Sequence, residues 1–342
     1  MNIGFEITGF EMTSGLETGH GTEGRWAFEW ARLLASRGHN CDLMVGGAFS
    51  PGQYAFPPNI NIVSDIKDRE YDVFFICGNI KPWHGSVRTK LSISLIYSDP
   101  GKNELEKDLF SKPNHIMGAQ TERMKKFCVQ ESSPFYNKTY NMPTPIAEKM
   151  SPGRFNNDYY LLPQKYQPHE EYLHALVYFL RKYKLKLGVL NDYWIKPMVG
   201  PRMVGDKTVL SIFEELGVDY FNTMPKIEAD RILYRSKMIF SSGAQGGLYP
   251  IEAVIAGVLP FPTDSTQFYF EKADDILYPE FHKKNGSSDS ELAAKSICEV
   301  WEQPYQDRDF YNKALNLYRE SISYHLYDNA YNIFLDIVKG YL

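Results

Sequence analysis

The residues with the most to offer chemically lie between Arg231 and Asp264, in RILYRSKMIFSSGAQGGLYPIEAVIAGVLPFPTD. The apolar run Met238-Ile239-Phe240 ends in Ser241-Ser242-Gly243, which reads as a buried strand opening into a glycine-bearing loop. Pro250 suits a first helical turn, where its missing N–H costs nothing, and Gly257 suits the position just past a helix end. Glu252 then falls one turn into a short helix, behind the Gly246-Gly247 loop. A carboxylate there can accept hydrogen bonds from a ligand's hydroxyls. The free amides of the loop and the helix N-terminus favour a phosphate. A ligand carrying both groups, as a sugar nucleotide does, would fit. An acid in a first turn also serves the helix macrodipole alone, so its position leaves both roles open.

Two further stretches carry candidate chemistry. Gly19-His20-Gly21-Thr22-Glu23-Gly24 fits the GxGxxG spacing and precedes a helix, and Asp42 lies roughly twenty residues on, which raises a dinucleotide reading. That fingerprint needs its tight turn directly after the strand, whereas about ten residues separate the first strand from Gly19. Asp42 also begins its strand, where a ribose-binding acid normally ends one. Tyr97-Ser98-Asp99-Pro100-Gly101 follows a strand, and an Asp at that edge could orient an acceptor hydroxyl or act as a base; Asx-Pro turns are also common without any such role. His169 and His174 are five apart, about 140° around a helix, so they do not make a zinc pair, and no metal is expected. Neither a GxSxG elbow nor a P-loop occurs.

The elements that must position these residues read as two α/β halves. Strands are expected at Asn2–Thr8, Cys41–Val45, Ile60–Val63, Val73–Cys77, Ile93–Tyr97 and His115–Gly118. A helix over Glu23–Arg37 carries the stripe Trp26, Ala27, Trp30, Leu33, Leu34. After a linker at Ser151-Pro152-Gly153, strands at Tyr159–Leu162, Lys186–Leu190 and Tyr220–Phe221 alternate with helices at Glu170–Tyr183 and Lys207–Leu216. Short apolar runs alternating with helices argue for parallel sheets covered on both faces. Two such units would bind a ligand outside the carboxyl ends of their strands.

Composition narrows the class. A chain of 342 residues fits two ordinary domains, and 43% hydrophobic with 23% charged residues is a globular balance. The net charge of −5 is spread evenly over both halves, unlike a domain that holds nucleic acid by counterion release. Cys41, Cys77, Cys128 and Cys298 are far apart, so free buried thiols in a reducing, cytoplasmic setting are expected. There is no long apolar run to span a membrane and no basic and apolar leader at the start.

The segment around Glu252 resembles the donor-binding signature of GT-B glycosyltransferases, the retaining, group 1-like enzymes that take a sugar from a nucleotide carrier. Glu252-Ala253, Gly257 and Pro260 match the second half of that signature; its earlier Glu falls on Ala244. Gly21-Thr22-Glu23 and Ser36-Arg37-Gly38-His39 resemble the same family's first βαβ unit. The resemblance implies two Rossmann-like doubly wound domains facing a cleft, over residues 1–150 and 151–310, with helices over 311–342 packing back on the first domain. It implies transfer of a hexosyl or pentosyl group from a nucleotide-diphosphate sugar such as a UDP-sugar, with no bound cofactor. Glu252 would hold the ribose. Gly21, Thr22, Gly246, Gly247 and Lys165 would line the phosphates, with Arg202 in the Pro201–Gly205 loop as a second candidate cation, and Asp99 would lie near the reacting hydroxyl. The acceptor would be a glycan, a small molecule or, from a fainter resemblance of Glu252–Phe270 to phage DNA α-glucosyltransferases, a hydroxymethylated base in DNA. Two alternatives stand beside this reading: a non-catalytic GT-B-like protein that binds a nucleotide or glycan, and an NAD-type oxidoreductase.

Overall fold

The computed structural model describes residues 1–7, 12–13, 16–17, 22–45, 57–66, 68–77, 80–96, 100, 104–146, 149–162, 170–190, 196–221, 226–241, 249–262 and 290–342. Its contacts divide the chain into two compact units, Met1–Ala147 with Ser323–Leu342, and Glu148–Ile322.

The first unit is built on β1 (Asn2–Ile7), β4 (Asn40–Val45), β5 (Ile60–Val63), β6 (Glu70–Cys77), β7 (Arg88–Leu95), β8 (His115–Ala119) and β9 (Thr139–Asn141). They form one sheet in the order β5-β4-β1-β6-β7-β8-β9, parallel throughout. Strand order therefore runs outward from β1 in both directions, as in a doubly wound sheet. A small antiparallel pair, β2 (Met12–Thr13) and β3 (Leu16–Glu17), lies between β1 and helix α1 (Thr22–Ser36). Alternation decides the faces: Ile3, Phe5, Ile7, Val73, Phe75 and Cys77 turn toward Trp26, Trp30, Leu33 and Leu34 of α1, all of them fully buried. Trp26 Nε1 donates to the Met142 carbonyl at 2.9 Å, which ties the helix to the chain beyond β9. Two further helices, α2 (Glu104–Ser111) and α3 (Glu122–Cys128), pack near β8 and β9.

Strand β7 begins five residues before Ile93, where the expected strand starts. Arg88-Thr89-Lys90 has a polar, loop-like composition, but it pairs with Glu70 and Tyr71, and Lys90 Nζ meets Asp72 at 2.8 Å. Strand β9 is likewise absent from the periodicity, because three residues at a sheet edge carry too little pattern to register.

The second unit carries β10 (Tyr159–Leu162), β11 (Lys186–Leu190), β14 (Asp219–Phe221), β15 (Ser236–Ser241) and β16 (Leu259–Pro262), all parallel, in the order β14-β11-β10-β15-β16. Helix α4 (Glu170–Tyr183) follows β10. The pair β12 (Met203–Val204) and β13 (Lys207–Thr208) and helix α5 (Val209–Glu215) follow β11, and α6 (Lys226–Arg235) and α7 (Tyr249–Ile255) flank β15. Thr208 caps α5 by accepting from Ser211 N at 3.2 Å. Pro260 lies within β16, where a proline is tolerated because β16 is an edge strand among the described residues. Two long helices, α8 (Ser290–Gln306) and α9 (Arg308–Ile322), complete this unit. Phe179 of α4, Trp301 of α8 and Phe240 of β15 meet in one aromatic cluster.

After α9 the chain joins the first unit. Ile146 N bonds the His325 carbonyl at 2.8 Å, Tyr327 N bonds the Ile146 carbonyl at 3.2 Å, and His325 Nδ1 donates to the Thr144 carbonyl at 2.9 Å. Helix α10 (Tyr327–Val338) then places Phe334 against Trp30 and Phe75. His39 is structural here, its Nε2 lying 2.9 Å from the Tyr331 hydroxyl. The four cysteines are buried and form no disulfide. No helix of the described residues is long and apolar enough to cross a membrane.

Candidate functional site

In the second sheet the strand order reverses between β10 and β15, and ligands of doubly wound sheets bind outside the carboxyl ends at such a switch point. Helix α7 follows β15 there. Pro250, Ile251, Ala253, Val254 and Ile255 are all buried, so the helix is embedded in the unit. Only Tyr249 and Glu252 keep partial exposure, and three positions apart they share a face.

The far end of α7 is held firmly. Gly257 has φ +80°, its N–H bonds the Val254 carbonyl at 3.1 Å, and Val258 N bonds the Ala253 carbonyl at 2.8 Å, a Schellman ending. A Cβ at Gly257 would lie 1.9 Å from the Pro152 carbonyl oxygen, so glycine is required twice over. Ser151 N bonds the Ile255 carbonyl at 2.7 Å and Arg154 N bonds that of Gly257 at 2.8 Å, docking the 151–154 segment onto the helix end. The Tyr311 hydroxyl lies 2.8 Å from the Lys237 carbonyl and 2.9 Å from that of Gly257, joining the start of β15 to the end of α7. These contacts orient Glu252 from behind.

Of the other candidates, Thr22 opens α1, and Arg202 lies on the β11–β14 connection. There Arg202 N bonds the Val199 carbonyl at 3.0 Å and its own carbonyl accepts from Val209 N at 2.9 Å. Glu252 and Arg202 thus share the second unit but stand on different connections. Gly21, Asp99, Lys165, Ala244, Gly246 and Gly247 lie outside the described residues. Asp42 is engaged well before the end of β4: Arg69 bonds it at 2.6 Å, Asn61 at 3.1 Å and Tyr71 at 3.2 Å. Those partners occupy the carboxylate that a dinucleotide ribose would need. Among the described residues no His, Cys, Asp and Glu cluster could hold a metal.

One polar cluster escaped the sequence reading. Glu6, one residue from the end of β1 and 1% exposed, is bonded by Lys81 Nζ and by His84 Nε2. His84 Nδ1 accepts from Lys81 N at 2.9 Å, so Nε2 carries the proton donated to Glu6. Burial pushes the Glu6 carboxyl up, but the bonds from His84 and Lys81 outweigh it and leave it below the ordinary carboxylate value. The trio pins the Pro82–Ser86 turn over the first sheet beside its own switch point, between β1 and β6. A lone acid in the apolar strand NIGFEI was the available signal.

No protein-family model and no curated protein matches the sequence. Solved structures do. Anabaena HepE in complex with UDP and glucose is similar at TM-score 0.62 and 11% identity, over 99% of this chain and 100% of that one. Sucrose-phosphate synthase from Thermosynechococcus elongatus is similar at TM-score 0.60 and 11% identity, over 100% and 98%. The pneumococcal O-GlcNAc transferase GtfA, in complex with UDP and GlcNAc, is similar at TM-score 0.52 and 11% identity over 78% of this chain, which spans only 56% of that protein. At such identities the likeness is one of architecture. With its two parallel, doubly wound sheets in separate units, the chain has the GT-B fold, two Rossmann-like domains.

Proposed function

We propose that the protein is a glycosyltransferase that moves a sugar from a nucleotide-diphosphate donor to an acceptor hydroxyl. The observation that carries this reading is Glu252: a partly exposed carboxylate on an otherwise buried helix, following the strand at the switch point of the second sheet. The likeness in fold to structures that hold UDP with a sugar supports it. Glu252 holds the donor ribose. The Gly21–Thr22 and Gly246–Gly247 loops, Lys165 and Arg202 neutralise and bind the diphosphate, and Asp99 orients the acceptor hydroxyl. Catalysis rests on placing the two substrates together and stabilising the departing diphosphate. Retention of anomeric configuration is the outcome the group 1-like signature favours. With Ala244 in place of the signature's earlier acid, no carboxylate from that position assists at the transferred sugar.

The test is turnover with UDP-, GDP- and ADP-sugars, offering monosaccharide, disaccharide and hydroxymethylated DNA acceptors in parallel. One donor is expected to release its nucleoside diphosphate only when an acceptor is present, and Glu252→Gln is expected to lower kcat/KM by about a hundredfold. Tight binding of a nucleotide sugar with no release from any donor would instead establish a binding protein. A salt-dependent gel shift on hydroxymethylated DNA decides that acceptor class.

A further inference from the structure

The buried trio of Glu6, Lys81 and His84 stands where ligands of a doubly wound sheet bind. Glu6 pairs with Ile76 across the switch between β1 and β6, one residue short of the carboxyl end of each strand. A carboxylate buried in an apolar strand is costly, and an apolar side chain would pack there without that cost. What the pair supplies is a fixed geometry for the chain above it. Between β6 and β7 the described chain has no α-helix, only the Pro82–Ser86 turn. His84 N bonds the Lys81 carbonyl at 3.0 Å, Lys81 N bonds His84 Nδ1 at 2.9 Å, and Ser86 Oγ bonds the Trp83 carbonyl at 2.7 Å. With His84 anchored on Glu6, the turn is held at both its outer and its inner side.

The outer side of this turn joins an indole to an ammonium. Trp83 is partly exposed, and its ring is backed by His84, edge-on at 4.3 Å, and by Phe74 at 6.5 Å. The Lys81 side chain is 38% exposed, with its ammonium 5.8 Å from the centre of the Trp83 ring. An ammonium carries three donors, and among the described residues the Lys81 ammonium has one hydrogen-bond partner, Glu6. Glu6 also balances its charge, His84 is neutral with Nδ1 as an acceptor, and Lys112 binds at the other end of the turn, on the Gly85 carbonyl. The Trp83 end therefore offers an anion little net attraction. An indole beside unused N–H donors suits a neutral ring, whose C–H groups lie on the aromatic surface while its hydroxyl oxygens accept from the ammonium. A surface held rigid before binding also loses less on binding. We propose that Trp83 and Lys81 form the binding surface for the acceptor, that the acceptor is a neutral sugar, and that Glu6 and His84 are positioning residues holding this surface in place. This rests on the glycosyl-transfer reading above and selects among its acceptors: a neutral glycan over an acidic sugar or hydroxymethylated DNA.

Two measurements on the full chain test this. In heteronuclear NMR without donor, the Trp83 indole N–H signal, assigned by its loss in Trp83→Phe, is expected to shift on titration with at least one of methyl glucoside, methyl galactoside, methyl mannoside and maltose. No shift with any of them would overturn the proposal, as would an equal response to glucuronate. In turnover with a neutral acceptor, Trp83→Ala is expected to raise the acceptor KM about tenfold, with kcat and the donor KM within about twofold of wild type, and Trp83→Phe to recover most of the loss. Lys81→Met, on an exposed side chain, is expected to raise the acceptor KM about fivefold and keeps the test open if Trp83→Ala fails to fold. Glu6→Gln is expected to raise the acceptor KM and leave the donor KM alone, a split that mere loss of stability would not produce. Wild-type acceptor KM in both Trp83→Ala and Lys81→Met, or an equal rise in donor KM, would overturn the proposal. If the Trp83 signal shifts and no donor turns over, the sugar-binding surface stands and the transfer reading fails; if transfer to neutral sugars proceeds and the signal does not shift, only the role of this surface fails.

Discussion

Lys237, at the start of β15, is 5% exposed; its ammonium bonds the Tyr305 carbonyl at 2.7 Å, with the rings of Phe155 and Tyr305 4.0 and 4.7 Å away. A carbonyl and two rings compensate a charge less well than water does, and burial lowers the amine to about 8 from its ordinary 10.5. The unfolded chain therefore binds more protons between those values, and stability should rise as the pH climbs from about 8 to 10.5. Lys237→Met keeps the bulk and removes the charge. It is expected to stabilise the protein by about 2 kcal/mol at pH 7 and to remove that alkaline rise, read by urea unfolding across pH. Unchanged unfolding at pH 7 and across the range from about 8 to 10.5 would mean that the rings compensate the charge fully. The residue scale is also where the site is most legible in the chain: Glu252 and Gly257 declare themselves through Pro250 and the helix-stop pattern.

At the scale of elements, α7 and α10 each depend on one feature. Adding a methyl group at Gly257 would strain a φ of +80° and drive a carbon to within 1.9 Å of the Pro152 carbonyl oxygen. Gly257→Ala is expected to cost about 4 kcal/mol or more by chemical denaturation, and to weaken nucleotide binding through the displaced Glu252 helix. Helix α10 contributes Ala330, Phe334, Ile337 and Val338 to the core of the first unit. Ending the chain after Ile322 removes these and uncovers Trp30 and Phe75. The expected result is loss of the first unit's cooperative melting while the second unit keeps its own transition, followed by near-ultraviolet circular dichroism. A truncated chain that melts like the full one would show that α10 is dispensable. Most strands and helices were legible from apolar spacing, within a residue or two at their ends. The polar starts of β6 and β7 and the short β9 were not read, because neighbouring strands supply pairing that their own residues do not announce, and helices α2, α3 and α8 and the short pairs β2/β3 and β12/β13 were not read either.

Across the whole molecule, acid is the sensitive variable. Burial lowers His115 to about 3 and His325 to about 4, and both are neutral in the fold. The unfolded chain protonates each near 6.5, so it binds more protons than the native state below that value and stability falls as the pH drops from 6.5 toward 4. At pH 5 the two together should cost about 4 kcal/mol relative to pH 8. Glu6 adds to this at lower pH: its depressed pKa contributes stability above the ordinary 4.5, lost as the pH falls through the folded value. Thermal melts from pH 8 to pH 4 should show the midpoint dropping steeply, and His325→Asn should flatten the slope. A flat profile in wild type would contradict the neutral, buried state of both histidines.

The chain by itself determined what depends on near neighbours: the period of most strands and helices, the stop at Gly257, the acid Glu252 placed a turn into a helix, and a charge balance with no basic domain. Local sterics and alternation act over a few residues, so a linear reading reaches them. Tertiary structure decided what depends on partners distant in sequence. Glu6 meets Lys81 and His84, Asp42 is occupied by Arg69, and residues 323–342 complete the core of the first unit. Each of these is a matter of which polar group is compensated once water is excluded, and that is settled only when the sheets have formed and the helices have packed on them.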